Sequence, residues 1–292
     1  MRASRLDRGA FWPFGLRAGG KLRRFRWRPG RSETCTSRHT VLLDSCAGNH
    51  KHRPGFPRFH QLDIPFLHRL RAAGVQPEEV DAVLCTHLHS DHVGWNTMLV
   101  DGRWVPTFPN AKYLFSRIEN EIGDPRRNPA AEADIQRGFA YCDSVLPVIE
   151  AGQAVLVDGE HAIDDSLTIV PAPGHTRGHV ALWLANTAGR ALFSGDVMHH
   201  ALQIHAPHWN SKFCELPDVA RATRRHLIEQ CVEHRATLFP AHFGAPHVTR
   251  IRALSQGFSS EFVVADRNSA HFLLSVLDSD HPRRRAVHAL QA

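Results

Sequence analysis

Long apolar runs are absent from this chain of 292 residues. None reaches the roughly 18 consecutive apolar residues that a membrane-spanning helix requires, so we expect no membrane association. The six cysteines form no C-x-x-C pair and no dense framework, which favours reduced thiols in a cytoplasmic protein over a disulfide scaffold. Internal repeats and low-complexity tracts are missing as well. A hydrophobic content of 42% still allows one large core or two small ones.

Acidic residues are scarce over 1–38, and this scarcity explains why the whole chain is basic. The segment contains eleven Lys and Arg residues against Asp7 and Glu33, a net charge of +9. Since the total is +6, the remaining residues carry −3, and this mildly acidic body argues against nucleic acid as a partner. We therefore predict a basic N-terminal extension over 1–38, flexible or with degenerate strands, and a single domain over 39–292.

An arginine-rich start is also compatible with a targeting segment. It resembles an organelle transit peptide, and Arg23-Arg24 resembles the start of a twin-arginine export signal. Because no apolar stretch of about seven residues follows Arg24, the sequence favours a plain extension over export.

Four metal-ligand side chains fall within the six positions that end at His92. They follow the apolar segment 80–85, which predicts a buried strand, so the ligands lie on a loop at a strand end. The 22 histidines make chance pairs common, but H-x-H-x-D-H directly after a strand favours a metal site. One turn cannot easily direct four side chains at a single ion. Two ions sharing the loop fit better, with His87 and His89 on one and Asp91 and His92 on the other.

Further ligands should come from single His or Asp residues at the ends of later strands. Three positions answer this description, namely His175 after the strand-like segment 167–170, Asp196 after 191–193, and His242 after Leu238-Phe239. Each has Gly or Pro nearby, which lets the backbone bend sharply and present the side chain.

Taken together, these segments resemble the metallo-β-lactamase-fold hydrolases, from about residue 39 to about residue 246. The H-x-H-x-D-H loop, the G-H-T-x-G-H segment, the S-G-D segment and a final histidine occur in the family's order. The resemblance implies an α+β fold, a four-layer αββα sandwich with the metal site at one edge of the two β-sheets. It also implies two metal positions and a bridging carboxylate: His87, His89 and His175 hold one ion, Asp91, His92 and His242 hold the other, and Asp196 bridges them.

Two other positions have expected supporting roles. Thr40 to Asp44 resembles the family's early strand, which ends in an Asp near the metals. His179 is expected to close the turn that follows His175 and to bind no metal.

The resemblance implies a mechanism that needs no serine or cysteine nucleophile. Two divalent ions roughly 3.5–4 Å apart share a water and lower its pKa toward neutrality, which provides a hydroxide nucleophile. Zinc is the expected ion, although Mn²⁺, Fe²⁺ and Co²⁺ suit the same ligands. We expect catalytic roles for Asp196, which spaces the ions and accepts the nucleophile's proton, for Asp91, which steadies the ion of the leaving group, and for His199, which donates to the scissile oxygen.

The substrate class depends on smaller differences within the family. An intact Asp196 disfavours β-lactam hydrolysis as the main role, and His89 in place of Glu disfavours di-iron redox chemistry. Lactonases commonly have Tyr where this chain has His199, and the run from Gly195 to His200 is closer to the methyl-parathion-hydrolase-like branch. We predict hydrolysis of a small carboxylic ester or lactone. The alternatives are an organophosphate triesterase of the methyl-parathion type, a β-lactamase-like amide hydrolase and a metal-dependent nuclease, and a homodimer stays open.

The remaining pattern predicts alternating strands and helices. Helices are expected over 63–74 and 216–234, the second with Val219, Ala222, Leu227 and Cys231 on one face. Strands are expected over 154–157, 167–170, 180–184 and 191–193. Some aromatic and histidine side chains near the metal loops could line a pocket, although we expect most of the aromatic ones to serve packing: Trp95, Trp104, Phe108, His199, His200, Trp209 and Phe243.

Overall fold

The computed structural model describes residues 14–17, 39–131, 138–187, 189–244 and 246–263. Its strands are β1 (Phe14–Arg17), β2 (Thr40–Leu43), β3 (Ala82–Leu84), β4 (Thr97–Val100), β5 (Arg103–Pro106), β6 (Lys112–Ser116), β7 (Ala154–Val157), β8 (His161–Ala162), β9 (Leu167–Pro171), β10 (Val180–Asn186), β11 (Gly189–Gly195), β12 (Thr237–Pro240), β13 (Thr249–Ala253) and β14 (Phe258–Phe262). Its α-helices are α1 (Phe66–Ala72), α2 (Ser90–Val93), α3 (Arg117–Gly123), α4 (Gly138–Ala140), α5 (Leu146–Glu150), α6 (Leu202–His205) and α7 (Pro217–Glu233). A π-helical turn, Tyr141–Val145, joins α4 to α5.

Two sheets form the centre of the molecule. The first has the order β1-β2-β3-β6-β7 and the second the order β14-β13-β12-β11-β10-β9-β8, while β4 and β5 form a separate hairpin. One buried cluster joins the sheets, with Leu43 and Leu114 from the first and Ile169, Leu182 and Phe193 from the second. The sheets therefore pack face to face.

Helices cover the outer faces of both sheets. Phe66 and Leu70 of α1 belong to the buried cluster on the outer side of the first sheet. Leu227, Ile228 and Cys231 of α7 belong to the cluster on the outer side of the second. This arrangement confirms the predicted four-layer αββα sandwich.

Strand β2 shows why the central strands have continuous apolar runs. Val41 and Leu43 belong to the cluster between the sheets, whereas Leu42 belongs to the cluster under the helices. Since successive side chains of a strand point to opposite faces, a strand with helices on one side and a sheet on the other is buried on both.

Buried cations fix the segment that follows β2. The Arg53 guanidinium makes two hydrogen bonds to the Asp143 carboxylate, at 2.7 and 2.8 Å. The Lys51 ammonium donates to Thr97 Oγ1 at 2.6 Å and lies 3.4 Å from the centroid of the Trp104 ring. Burial lowers the pKa of Lys51 to about 7, although Asp143 opposes this shift. These contacts tie the segment to the β4-β5 hairpin and to the π-helical turn.

Most secondary-structure predictions are confirmed, with helix ends that differ by one to three residues. Strand 154–157 is found as predicted, and α1 and α7 lie within the two predicted helices. The buried face predicted for α7 is partly wrong, because Val219 is 39% exposed and Ala222 is also exposed. The buried face instead contains Arg224, a residue that hydrophobic periodicity assigns to solvent.

The N-terminal segment contributes one described strand. Strand β1 pairs antiparallel with β2, with Phe14 opposite Leu43 and Arg17 opposite Thr40. Most of segment 1–38, together with residues 264–292, lies outside the described residues. The predicted boundary between an extension over 1–38 and a domain over 39–292 therefore stays a prediction.

The structure bears only on the prediction about membrane-spanning helices. Among the described residues, no helix is both long and apolar enough to traverse a bilayer. The cytoplasmic location expected from the cysteine pattern stays a prediction.

The buried face of α7 can be tested by truncating side chains. Leu227→Ala should lower the free energy of unfolding by about 2–5 kcal/mol, because it leaves a cavity in the cluster on the outer side of the second sheet. Val219→Ala, on the exposed side of the same helix, should change it by no more than about 0.5 kcal/mol. Urea unfolding of the metal-free protein measures both. Equal losses in the two variants would contradict the assignment of the buried face.

Candidate metal centre

The predicted ligands lie directly after strands that end at one edge of the two sheets. In the first sheet, β3 leads into the loop that carries His87 and His89 and then into α2, which contains Asp91 and His92. In the second sheet, β11 ends at Gly195 and the parallel β12 ends at Pro240, one and two residues before Asp196 and His242. His175 lies in the turn between β9 and β10. The structure brings all seven predicted ligands together at this edge.

The first group of donors consists of three buried imidazoles. His87 Nε2 lies 2.9 Å from His89 Nδ1, and His175 Nε2 lies 3.1 Å from the same atom. Burial is the main cause that holds the pKa of His87 and His175 well below the usual histidine value. Neutral imidazoles keep a lone pair available, so this group could hold a metal ion.

The second group combines a carboxylate with two imidazoles, namely Asp91, His92 and His242. Burial disfavours the charged form of His92, but the carboxylates of Asp196, Asp44 and Asp91 outweigh burial and raise its pKa. The pKa of His242 is raised in the same way, against burial, mainly by Asp196. These imidazoles lie in a negative field that also suits a divalent cation.

Asp196 lies between the two groups and contacts members of both. Its Oδ2 is 2.8 Å from His242 Nε2 and 3.3 Å from His175 Nε2, while its Oδ1 is 3.2 Å from His92 Nε2. Burial alone would raise the pKa of Asp196, but the surrounding imidazoles, His242 and His92 foremost, hold it well below the ordinary aspartate value. An ionised carboxylate in this position can join two cations.

Several buried polar atoms of the site lack a hydrogen-bond partner within the described part of the chain. His92 Nε2 and Asp196 Oδ1 are examples, since their 3.2 Å approach does not have hydrogen-bond geometry. Buried polar atoms are almost always paired, so unpaired nitrogen and oxygen atoms that face one another here indicate a place where a cation can bind. Imidazole and carboxylate donors at these separations fit divalent transition metals. The residues present therefore fit the metal site that the sequence predicted, and the individual ligand roles stay a prediction.

Asp44 supports the site from the end of β2. Its Oδ2 is 2.9 Å from His92 Nδ1, which directs the other ring nitrogen, Nε2, toward the site. Its Oδ1 accepts a hydrogen bond from Thr86 N at 2.8 Å and thereby fixes the start of the metal loop. A carboxylate behind a histidine ligand fixes the tautomer and the orientation of the ring. The position of this strand-ending Asp agrees with the one expected from the sequence.

The turn that presents Asp196 has little free space. Gly195 has a φ of +49°, and a Cβ there would lie 2.7 Å from both His179 Nε2 and Thr86 Oγ1. His179 Nε2 accepts the backbone N–H of Asp196 at 3.0 Å. His179 belongs to none of the potential metal-binding groups among the described residues. It orients the backbone of Asp196 and thus does more than the turn closure expected from the sequence.

His199 approaches the site from the segment after Asp196. Its Nε2 is 3.2 Å from Asp196 Oδ2, its ring stacks on His242 with an interplanar angle of 3°, and both ring nitrogens lack hydrogen-bond partners among the described residues. Together with His175 and Asp196, it forms a further group that could hold a metal. Its neighbour His200 is exposed.

The sequence did not reveal the residues that hold this segment. Gln203 Oε1 accepts the backbone N–H of His199 at 2.7 Å, and Gln203 Nε2 donates to Trp209 O at 2.9 Å. Arg224 of α7 is fully buried and donates to Val197 O and Trp209 O at 2.8 and 2.6 Å. The sequence carried no signal for Arg224, because hydrophobic periodicity assigns an arginine to the exposed face of a helix.

The aromatic candidates divide between core and surface. Trp95, Phe108 and Phe243 are buried in the hydrophobic clusters, as expected for residues that serve packing. Trp104 is partly buried beneath Lys51, and Trp209 is exposed.

Curated proteins match this chain over part of its length. The hydroxyacylglutathione hydrolase of Synechococcus sp. (strain ATCC 27144 / PCC 6301 / SAUG 1402/1) is 31% identical over 138 residues, which covers 46% of this chain and 41% of that protein. The probable metallo-hydrolase YflN of Bacillus subtilis (strain 168) is 28% identical over 126 residues, or 41% of this chain and 45% of that protein. The chain thus spans less than half the length of these relatives.

Solved structures match more of the chain at lower identity. The hydrolase AbOPH of the beta-lactamase superfamily has a TM-score of 0.63 at 24% identity, with 78% of this chain and 77% of that chain covered. AidC, a dizinc quorum-quenching lactonase, has a TM-score of 0.58 at 20% identity, with 78% of each chain covered. At these identities the likeness shows a shared fold.

The family model described as the metallo-beta-lactamase superfamily matches residues 40–242, which span the strand that leads to Asp44 and every predicted ligand. The chain therefore belongs to the metallo-β-lactamase superfamily of metal-dependent hydrolases.

Proposed function

We propose that this protein hydrolyses small carboxylic esters or lactones at a centre of two divalent ions, with zinc as the expected metal. In this proposal His87, His89 and His175 hold one ion, Asp91, His92 and His242 hold the other, and Asp196 bridges them. The observation that carries the proposal is the position of Asp196, whose two oxygens contact imidazoles of both groups at 2.8–3.3 Å.

The residues of the chain have separate tasks in this reaction. Divalent ions, when bound, polarise the substrate oxygen and lower the pKa of water toward neutrality. The buried imidazoles of His87 and His175 are neutral and donate lone pairs. Asp196 spaces the two ions, and in this proposal it also accepts the proton of the attacking water, against the low pKa that the surrounding imidazoles give its carboxylate. Asp91 completes the ligand group on the side of the leaving group.

His199 is proposed to orient the substrate. Its Nε2 is close to Asp196 and is not engaged in any hydrogen bond within the described structure, so it is available to donate to the scissile oxygen. Its backbone N–H is fixed by Gln203, so the ring projects from a restrained segment. A preorganised donor at this place stabilises negative charge that develops on the substrate.

The comparisons support acyl compounds as the substrate class. The name of AidC describes a lactonase, and the names of several curated relatives describe hydrolysis of a hydroxyacylglutathione. A phosphotriester is the second candidate, because His199 stands where lactonases of this family commonly have Tyr. Amide hydrolysis of a β-lactam and cleavage of a phosphodiester are further alternatives.

Asp196→Asn should reduce kcat by about 10²–10⁴-fold, because the amide can neither accept the proton nor join two cations. The measurement is steady-state hydrolysis of the best substrate, together with the metal content and far-UV circular dichroism of the variant. Asp218→Asn, which alters an exposed aspartate of α7, serves as the control and should keep the wild-type rate. An unchanged kcat in Asp196→Asn would remove this residue from the mechanism.

His199→Ala should lower kcat/KM by about 10²-fold on the accepted substrates, since a donor to the developing oxyanion is lost. The neighbouring His200→Ala is the matched control, because His200 is exposed. If both variants keep wild-type kcat/KM on every accepted substrate, His199 has no role in orienting the substrate.

Metal removal and a substrate panel test the proposal as a whole. Elemental analysis should find two divalent ions per chain, chelation should abolish hydrolysis, and added Zn²⁺ should restore it. The panel contains p-nitrophenyl esters, acyl lactones, a hydroxyacylglutathione, a phosphotriester, a phosphodiester and nitrocefin. We expect turnover of the esters or lactones. Turnover of the phosphodiester alone would replace the proposal with the nuclease alternative.

A further inference from the structure

A buried carboxylate on α3 connects two of the loops that present the first group of histidines. Glu119 has no exposed surface, although it lies on the short helix that follows β6. Its Oε2 accepts the backbone N–H of Leu88 at 3.2 Å, and its Oε1 accepts the backbone N–H of Gly178 at 2.9 Å. Each oxygen of one carboxylate thus holds a different loop.

The two amides belong to loops of different sheets. Leu88 lies between His87 and His89 on the loop after β3 of the first sheet. Gly178 lies three residues after His175, in the turn between β9 and β10 of the second sheet. Since His175 of one loop lies 3.1 Å from His89 of the other, the separation of these loops determines the geometry of the group.

Close packing of Gly178 against Glu119 indicates that their contact depends on a glycine at position 178. A Cβ at this position would lie 2.7 Å from Glu119 N and 2.9 Å from Glu119 Cγ. The second glycine of the G-H-T-x-G-H segment is therefore required by the approach of α3, in addition to any bend of the turn. A larger residue would force Glu119 and the loop apart.

The burial of Glu119 favours the same conclusion. A buried carboxyl group is unfavourable unless its oxygens are hydrogen-bonded, and here each oxygen accepts one backbone N–H. Glu119 itself belongs to none of the potential metal-binding groups of the described residues. Its contacts therefore place it behind the histidines, where it can orient them without binding the ion.

We propose that Glu119 is a positioning residue that sets the distance between the His87–His89 pair and His175 by holding the amides of Leu88 and Gly178. The proposal rests on the proposed function only in taking these three histidines as ligands of one ion. It makes no assumption about the substrate.

Glu119→Gln tests this role, with Glu121→Gln as the matched control, since Glu121 lies on the same helix and is exposed. The amide side chain offers only one acceptor oxygen, so one of the two loops loses its partner. Competitive chelator titration with Zn²⁺ should show one of the two ions bound about 10–100-fold more weakly in Glu119→Gln, and unchanged binding in Glu121→Gln. Equal zinc affinities in both variants and the wild type would overturn the proposal.

Hydrogen exchange on the metal-free wild type provides a second measurement that depends on no variant. The amides of Leu88 and Gly178 should be protected, because both are buried donors to Glu119. Exchange as fast as that of exposed loop amides would overturn the proposal even if Glu119→Gln failed to fold. Neither measurement uses hydrolysis, so a failed substrate panel would refute the proposed function and leave this inference standing.

Discussion

Five imidazoles surround one buried carboxylate, and the rest of the structure is arranged to keep them there. Nitrogen atoms of His87, His92, His175, His199 and His242 lie within 2.8–3.9 Å of Asp196. A buried cluster of imidazoles and a carboxylate with few hydrogen bonds is unstable unless a bound cation or rigid surroundings compensate for the lost hydration. The strand ends, the Gly195 turn and the contacts of Asp44 and His179 supply those surroundings.

The ligand set was visible in the sequence because each member belongs to a short local pattern. His87 to His92 follow an apolar strand, and Asp196 and His242 each follow another with Gly or Pro nearby. The alternation of strands and helices was also visible, since apolar periodicity is a local property. The layer order agreed with the family resemblance because both sheets and both helical layers are marked by such periodicity.

The residues that hold the ligands were not visible, for a physical reason. Glu119 meets Gly178 across 59 positions of the chain, and Arg224 meets Val197 across 27. Their partners are backbone atoms, which almost every residue type has, and the glycine at 178 does not by itself indicate a carboxylate partner. For Arg224 the sequence even predicts the wrong side of the helix, because hydrophobic periodicity places an arginine in solvent. Long-range contacts between polar side chains and the backbone become apparent only in the folded structure.

The origin of the donors in two different sheets links the chemistry of the site to the cohesion of the fold. β3 supplies donors from the first sheet, while β11, β12 and the turn after β9 supply them from the second. Ions bound there would join the two sheets at an edge where no covalent bond does so among the described residues. Because such ions bind the folded chain and not the separated strands, thermal stability becomes a function of free ion concentration. Metal supply would then govern how long the folded protein persists as well as its catalytic rate.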